Sequence, residues 1–158
     1  MVFWDEIFEK VSSKYPMIQT ESLLVDAACM DLVRWPENFD VIVASNLFGD
    51  IMSDIAAVIT GSMGLAPSAN INPEREYPSM FEPVHGAGFD ITGKGVANPI
   101  ATFFAISMML EHLGENDIAQ KLNKAIISSL TTRNVLTPDL GGNASTSQVT
   151  DEIMSLMD

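Results

Sequence analysis

The stretch "FDVIVASNLFGDIMSDIAAVITGS", residues 39–62, decides the fold class. Residues 39–46 are a run of β-branched and apolar residues bounded by a turn signal, which predicts a buried strand. The remainder predicts a helix over about 48–60, apolar or small except for Asp50 and Asp54. A strand feeding a helix is the unit of an α/β fold. The two acids pose a question of function, because like charges four residues apart on a helix repel one another.

At about 100° per residue, Asp50 and Asp54 share one narrow face with Ser53 and Ala57. Ile51, Ile55, Val58 and Ile59 take the opposite arc. Two readings of the pair stand side by side. In the first, the acids lie on a solvated face, and the helix dipole favours an acid in the first turn. That accounts for Asp50 more easily than for Asp54. In the second, β-carbons about 6 Å apart let both carboxylates hold one hard cation such as Mg²⁺, with oxygens at about 2.1 Å.

Working outward, Phe3, Trp4, Ile7, Phe8 and Val11 recur at helical spacing and predict an amphipathic helix over 3–14, ended by Pro16. Leu23, Leu24 and Val25 suggest a short strand, and residues 26–35 a helix stopped by Pro36. From Gly61 to Pro99 the chain holds most of its glycines and prolines, so a long turn-rich segment is expected there. Helices follow at about 99–113 and 116–130, separated at Gly114. In "TPDLGGNASTSQ" (137–148), Ser145 and Gln148 fit a capping box for a last helix over 146–157. No internal repeat is present.

The chain has 158 residues and a net charge of −13, from 8 Lys and Arg against 21 Asp and Glu. That balance argues against nucleic acid or an anionic membrane as partner. The arginines, Arg34, Arg75 and Arg133, are far apart in sequence, so no cluster for a dianionic substrate is evident. Cys29 alone, in an apolar run, reads as a small core residue in a reducing compartment. No leader-like segment opens the chain, and the apolar run 100–110 is too short to span a bilayer. A soluble, cytoplasmic protein is the expectation.

Two glycine motifs fail on inspection. "GFDITGKG" (88–95) nearly forms a P-loop, but Gly95 stands where Ser or Thr must meet magnesium. "GAGFDI" (86–91) begins like a dinucleotide fingerprint, but Ile91 replaces its third glycine. Glycine turns can still cradle phosphates outside those folds.

The combination "SNLFGDIMSD", "FEPVHGAGFDITGKGVANP" and "TPDLGG", in this order, resembles the NAD-dependent β-decarboxylating dehydrogenases of 2-hydroxy acids. That family includes isopropylmalate, isocitrate and tartrate or D-malate dehydrogenases. "SANINPEREYPSMFEPVHG" (68–86), with its long insert before the glutamate, is most similar to the tartrate and D-malate branch. The resemblance implies an isopropylmalate-dehydrogenase-like fold, a mixed sheet flanked by helices, of which only the C-terminal part is expected here. Residues 1–63 would belong to a central metal-binding and dimerisation domain, and 64–158 to the NAD-binding domain.

The resemblance also assigns roles. Asp50 and Asp54 match the acids that hold Mg²⁺ or Mn²⁺. Asp26 matches a third acid, catalytic as well as metal-binding, that reaches the neighbouring subunit's site in a homodimer. Glu82, His85, Gly86, Ala87, Gly88, Asp90 and Asn98 match the NAD loop, with Asp90 on the adenosine ribose. A carboxylate there excludes the 2′-phosphate of NADP. Where the family commonly has "HGSAPD", this chain has "HGAGFD", so Ala87 lacks a hydroxyl and Phe89 replaces a proline. The substrate implied is a small 2-hydroxy dicarboxylate, oxidised at C2 and then decarboxylated. The family's substrate arginines, tyrosine and lysine would lie upstream, so this polypeptide alone is expected to be inactive. The alternatives are part of an isopropylmalate dehydrogenase, or a non-catalytic module keeping metal and nucleotide contacts.

Overall fold

The computed structural model describes residues 2–157. They form two compact units, Met1–Asp40 and Val41–Asp158. The resemblance places a functional division near residue 63, whereas the contacts divide the chain at 40.

In the first unit, helix α1 spans Val2–Ser12 and α2 spans Val25–Arg34, followed by a 3₁₀ turn at Pro36–Asn38. The apolar face of α1 is real but uncovered: Phe3, Trp4, Ile7 and Val11 are all exposed. Among the described residues of this unit, only Ala28 and Leu32, both on α2, are buried. Cys29, expected in the core, is half-buried. The strand expected at 23–25 is absent. Leu24 is extended, at φ −70° and ψ 144°, but stands unpaired just before α2, and Val25 is already helical.

The buried strand expected at 39–46 is absent too, at the start of the second unit. Residues 41–45 form no strand, and Val41 is 90% exposed, with Ile42 and Val43 exposed beside it. A strand needs a neighbour for its ladder hydrogen bonds and a cover for its apolar face. Among the described residues the pairing is confined to a different pair, the antiparallel strands β1 (Pro67–Asn70) and β2 (Met80–Pro83). The mixed sheet implied by the resemblance is therefore represented here by this hairpin alone. Its register sets Ser68 against Glu82 and Ala69 against Phe81.

The helices follow their sequence signals closely. Helix α3 spans Asn46–Ile59, α4 Ile100–Leu113, α5 Asn116–Thr132 and α6 Thr146–Met157. Gly114 ends α4 in the left-handed region at φ 90°, and the Glu115 N–H returns to the Leu110 carbonyl at 2.9 Å. The capping box forms: Gln148 N–H donates to Ser145 Oγ at 3.2 Å, and Ser145 N–H to Gln148 Oε1 at 2.8 Å. Helix α4 packs against the hairpin as well as α5, which explains why it is apolar around much of its circumference. The core lies among α4, α5 and α6, around Ile100, Leu122, Ile126, Val149 and Ile153.

The hairpin's long connection is tied to the end of α4. Arg75, itself at φ 58°, donates to the His112 carbonyl, and Ser79 Oγ lies 3.3 Å from His112 Nε2. Phe81 meets the His112 ring at 5.7 Å between centroids. With Phe81 turned to α4, the period of two along β2 leaves Glu82 on the exposed side.

Candidate functional site

Helix α3 begins at Asn46, two residues earlier than its sequence suggests, and no acid lies in its first turn. That removes the simplest structural explanation of Asp50, since the dipole's pull falls off within one turn. Asp50 and Asp54 are both exposed, one turn apart, with Ser53 between them donating its hydroxyl to the Asp50 carbonyl at 3.1 Å. Met52 and Ala57 are the residues of this helix that are buried. So Ala57, placed by sequence on the acids' face, points into the fold, while Ile51 and Val58 of the expected apolar arc are exposed. Asp26 lies in the first turn of α2, exposed, with Oδ1 accepting from the Ala27 N–H at 2.9 Å. Among the described residues, no three or more His, Cys, Asp or Glu side chains are gathered to hold a metal. Two hard oxygen ligands on one open face suit a divalent cation, and further oxygens have to come from elsewhere.

The glycine loop runs from β2 to α4. His85 Nδ1 lies 3.0 Å from the Gly86 carbonyl, which can only accept, so Nδ1 carries the proton and Nε2 faces away from that bond. A tight turn follows, closed by the Ile91 N–H on the Gly88 carbonyl at 3.0 Å, with Phe89 and Asp90 at its centre. Gly88, Gly93 and Gly95 all have positive φ, at 55°, 76° and 67°, a conformation that L side chains rarely adopt. Gly86, Ala87 and Asp90 are exposed, as is Glu82 on β2. The loop's far end is pinned by α6: Thr146 N–H donates to the Gly95 carbonyl at 2.9 Å, and Thr146 Oγ1 to the Ala97 carbonyl at 2.6 Å.

Asn98 differs from the other loop residues in being buried. Its amide Nδ2 donates to Asp139 Oδ2 at 2.9 Å, and its Oδ1 accepts from the Ile100 N–H at 3.0 Å, at the start of α4. The same Asp139 oxygen accepts from Ser62 Oγ at 2.5 Å, and Ser62 Oγ in turn accepts from the Gly64 N–H at 3.0 Å. Burial alone would raise the Asp139 pKa, but the Ser62 hydroxyl, the Thr137 hydroxyl and the Asn98 amide together hold it below the usual carboxylate value. One carboxylate thus joins the turn after α3, the end of the glycine loop and the "TPDLGG" segment. Sequence reasoning quoted that segment but gave Asp139 no part.

The matching family model is isocitrate/isopropylmalate dehydrogenase, over residues 1–153. The chain belongs to this family. It is 54% identical over 153 residues to a probable tartrate dehydrogenase/decarboxylase of Agrobacterium vitis, covering 97% of this chain and 42% of that protein. It is 48% identical over 161 residues to the decarboxylating D-malate dehydrogenase of Escherichia coli, covering 99% of this chain and 45% of that protein. The crystal structure of isocitrate dehydrogenase from Methylococcus capsulatus superposes with a TM-score of 0.91 at 40% identity, covering 96% of this chain and 44% of that one. The chain therefore spans less than half the length of these dehydrogenases. Within the isocitrate/isopropylmalate dehydrogenase fold, the unpaired run 41–45 and the bare faces of α1 and α3 are surfaces that a longer chain or a second copy can cover.

Proposed function

We propose that this chain supplies the metal-binding acids and the dinucleotide loop of an NAD- and divalent-metal-dependent oxidative decarboxylase of the tartrate or D-malate type. The observation that carries this reading is the Asp50–Asp54 pair, exposed one turn apart beyond the first turn of α3. Neither acid serves the helix there, and both are hard oxygen donors. Asp50 and Asp54 would hold Mg²⁺ or Mn²⁺, with Asp26 contributed across a homodimer to the partner's site. A cation held by these acids would supply Lewis acidity for the loss of CO₂.

The loop supports the cofactor side. Asp90 stands exposed on its turn, where a carboxylate can accept from ribose hydroxyls and repel a 2′-phosphate. Glu82, His85, Gly86, Ala87 and Gly88 would meet the rest of the dinucleotide. Asn98 would act differently from the resemblance's plain contact: its side chain is committed to Asp139 and Ile100, so it fixes the loop's end and leaves less of its amide for the ligand. With three scattered arginines, the chain has no evident clamp for a dicarboxylate, and on its own it should not turn over. NADH formation from D-malate and from tartrate, with Mg²⁺ or Mn²⁺, tests this. The chain alone is expected to be silent. Joined to the remaining segment of a tartrate-type relative, it should oxidise one of these acids and lose that activity on Asp54→Asn. Turnover by the chain alone comparable with an intact relative would overturn the reading.

A further inference from the structure

Most of the exposed large apolar side chains lie before residue 60, on α1, the segment 15–24, α2, the run 41–43 and α3. Beyond residue 60 one stands out. Phe89 is 90% exposed, and the next such side chain among the described residues, Tyr77, is 71% exposed. Phe89 contributes nothing to the core, and the turn that carries it closes on a single carbonyl. The Gly88 carbonyl accepts from the Ile91 N–H at 3.0 Å and from Thr92 Oγ1 at 3.1 Å. That double anchor fixes the turn's base and presents its two central side chains, Phe89 and Asp90, outward on neighbouring positions. Beside them the backbone is open: a Cβ placed on Gly86 would meet nothing within 4 Å.

An aromatic face next to a carboxylate matches the chemistry of a nucleoside, whose flat base and hydroxyl-bearing ribose are joined by one bond. We infer that Phe89 is a cofactor-binding residue, the platform on which the adenine ring of the dinucleotide stacks while Asp90 takes the adjoining ribose. This rests on the NAD reading above and adds to it. Stacking uses the ring's face, not its edge, so it is tolerant of which purine is present. A proline at this position offers no comparable aromatic face, so the chain's departure from its family's pattern becomes a gain of contact at the adenosine end.

Calorimetry with ADP-ribose and NAD⁺ on this chain tests the inference, and because Phe89 is exposed its variants should keep the wild-type thermal melt. Phe89→Ala should weaken ADP-ribose roughly tenfold. Phe89→Trp should restore binding and Phe89→Leu should not. Nicotinamide hypoxanthine dinucleotide should show the same loss in Phe89→Ala as NAD⁺, and the wild type should give nuclear Overhauser contacts from the Phe89 ring to the adenine protons. Equal ADP-ribose affinity in wild type and Phe89→Ala would overturn the role of Phe89 and leave the NAD reading standing. Failure of the wild type to bind either ligand would overturn both.

Discussion

The Asn98 amide donates to Asp139 Oδ2 at 2.9 Å, joining positions 41 residues apart in the chain. Through this bond the end of the glycine loop, the start of α4 and the "TPDLGG" segment share one anion, and Ser62 brings in the turn that follows α3. The helix carrying the acid pair and the loop proposed to hold the dinucleotide are thus fastened at one point.

That anion makes stability depend on pH in a defined direction. The Asp139 pKa is lowered in the folded chain from an ordinary value of 3.8. Its contribution is therefore fully present above that value and is lost as pH falls through the depressed folded value. Asp139→Asn should lower the melting temperature near neutral pH, and its deficit relative to wild type should shrink as pH drops below about 4. Thermal melts of both proteins across that range check it. A deficit that stays constant down to the acid limit would mean that the charge plays no part.

Close approach at the same point predicts a second effect. A Cβ on Gly64 would stand 2.7 Å from Asn98 Cβ and 3.0 Å from Asp139 Oδ2. Gly64→Ala should destabilise the second unit by about 1–3 kcal/mol, the usual cost of overpacking a fitted site. Urea unfolding followed by circular dichroism measures it.

The helices were legible in the sequence, and the sheet was not. Spacing of apolar residues, Gly114 and the Ser145–Gln148 pair are local signals, and α4, α5 and α6 obey them to within two residues. The hairpin was hidden because β1 and β2 have four residues each, carry prolines and lie nine residues apart. Residues 39–46 show the opposite failure. Their pattern reports a demand for burial, but a strand forms only where another strand is present to pair with it. The candidate site divides in the same way. The acid pair and the glycine loop are contiguous in sequence, whereas the Ser62–Asp139 bond spans 77 residues and leaves no local pattern.

Bare apolar surface on α3 predicts association. Ile51, Val58 and Ile59 are 43%, 64% and 37% exposed, an arrangement that favours burial against another surface. Sedimentation equilibrium should show self-association at micromolar concentration, weakened by Val58→Glu. A folded, strictly monomeric wild type would count against a dimer through this helix and against Asp26 acting in trans.

The acid pair itself is tested most directly by paramagnetic broadening of backbone amide signals during a Mn²⁺ titration. Broadening should centre on Asp50, Ser53 and Asp54 at low metal, and should vanish from α3 in the Asp50→Asn, Asp54→Asn double variant while the fold is kept. Diffuse broadening spread over the acidic surface, unchanged by the double variant, would contradict a metal site on α3.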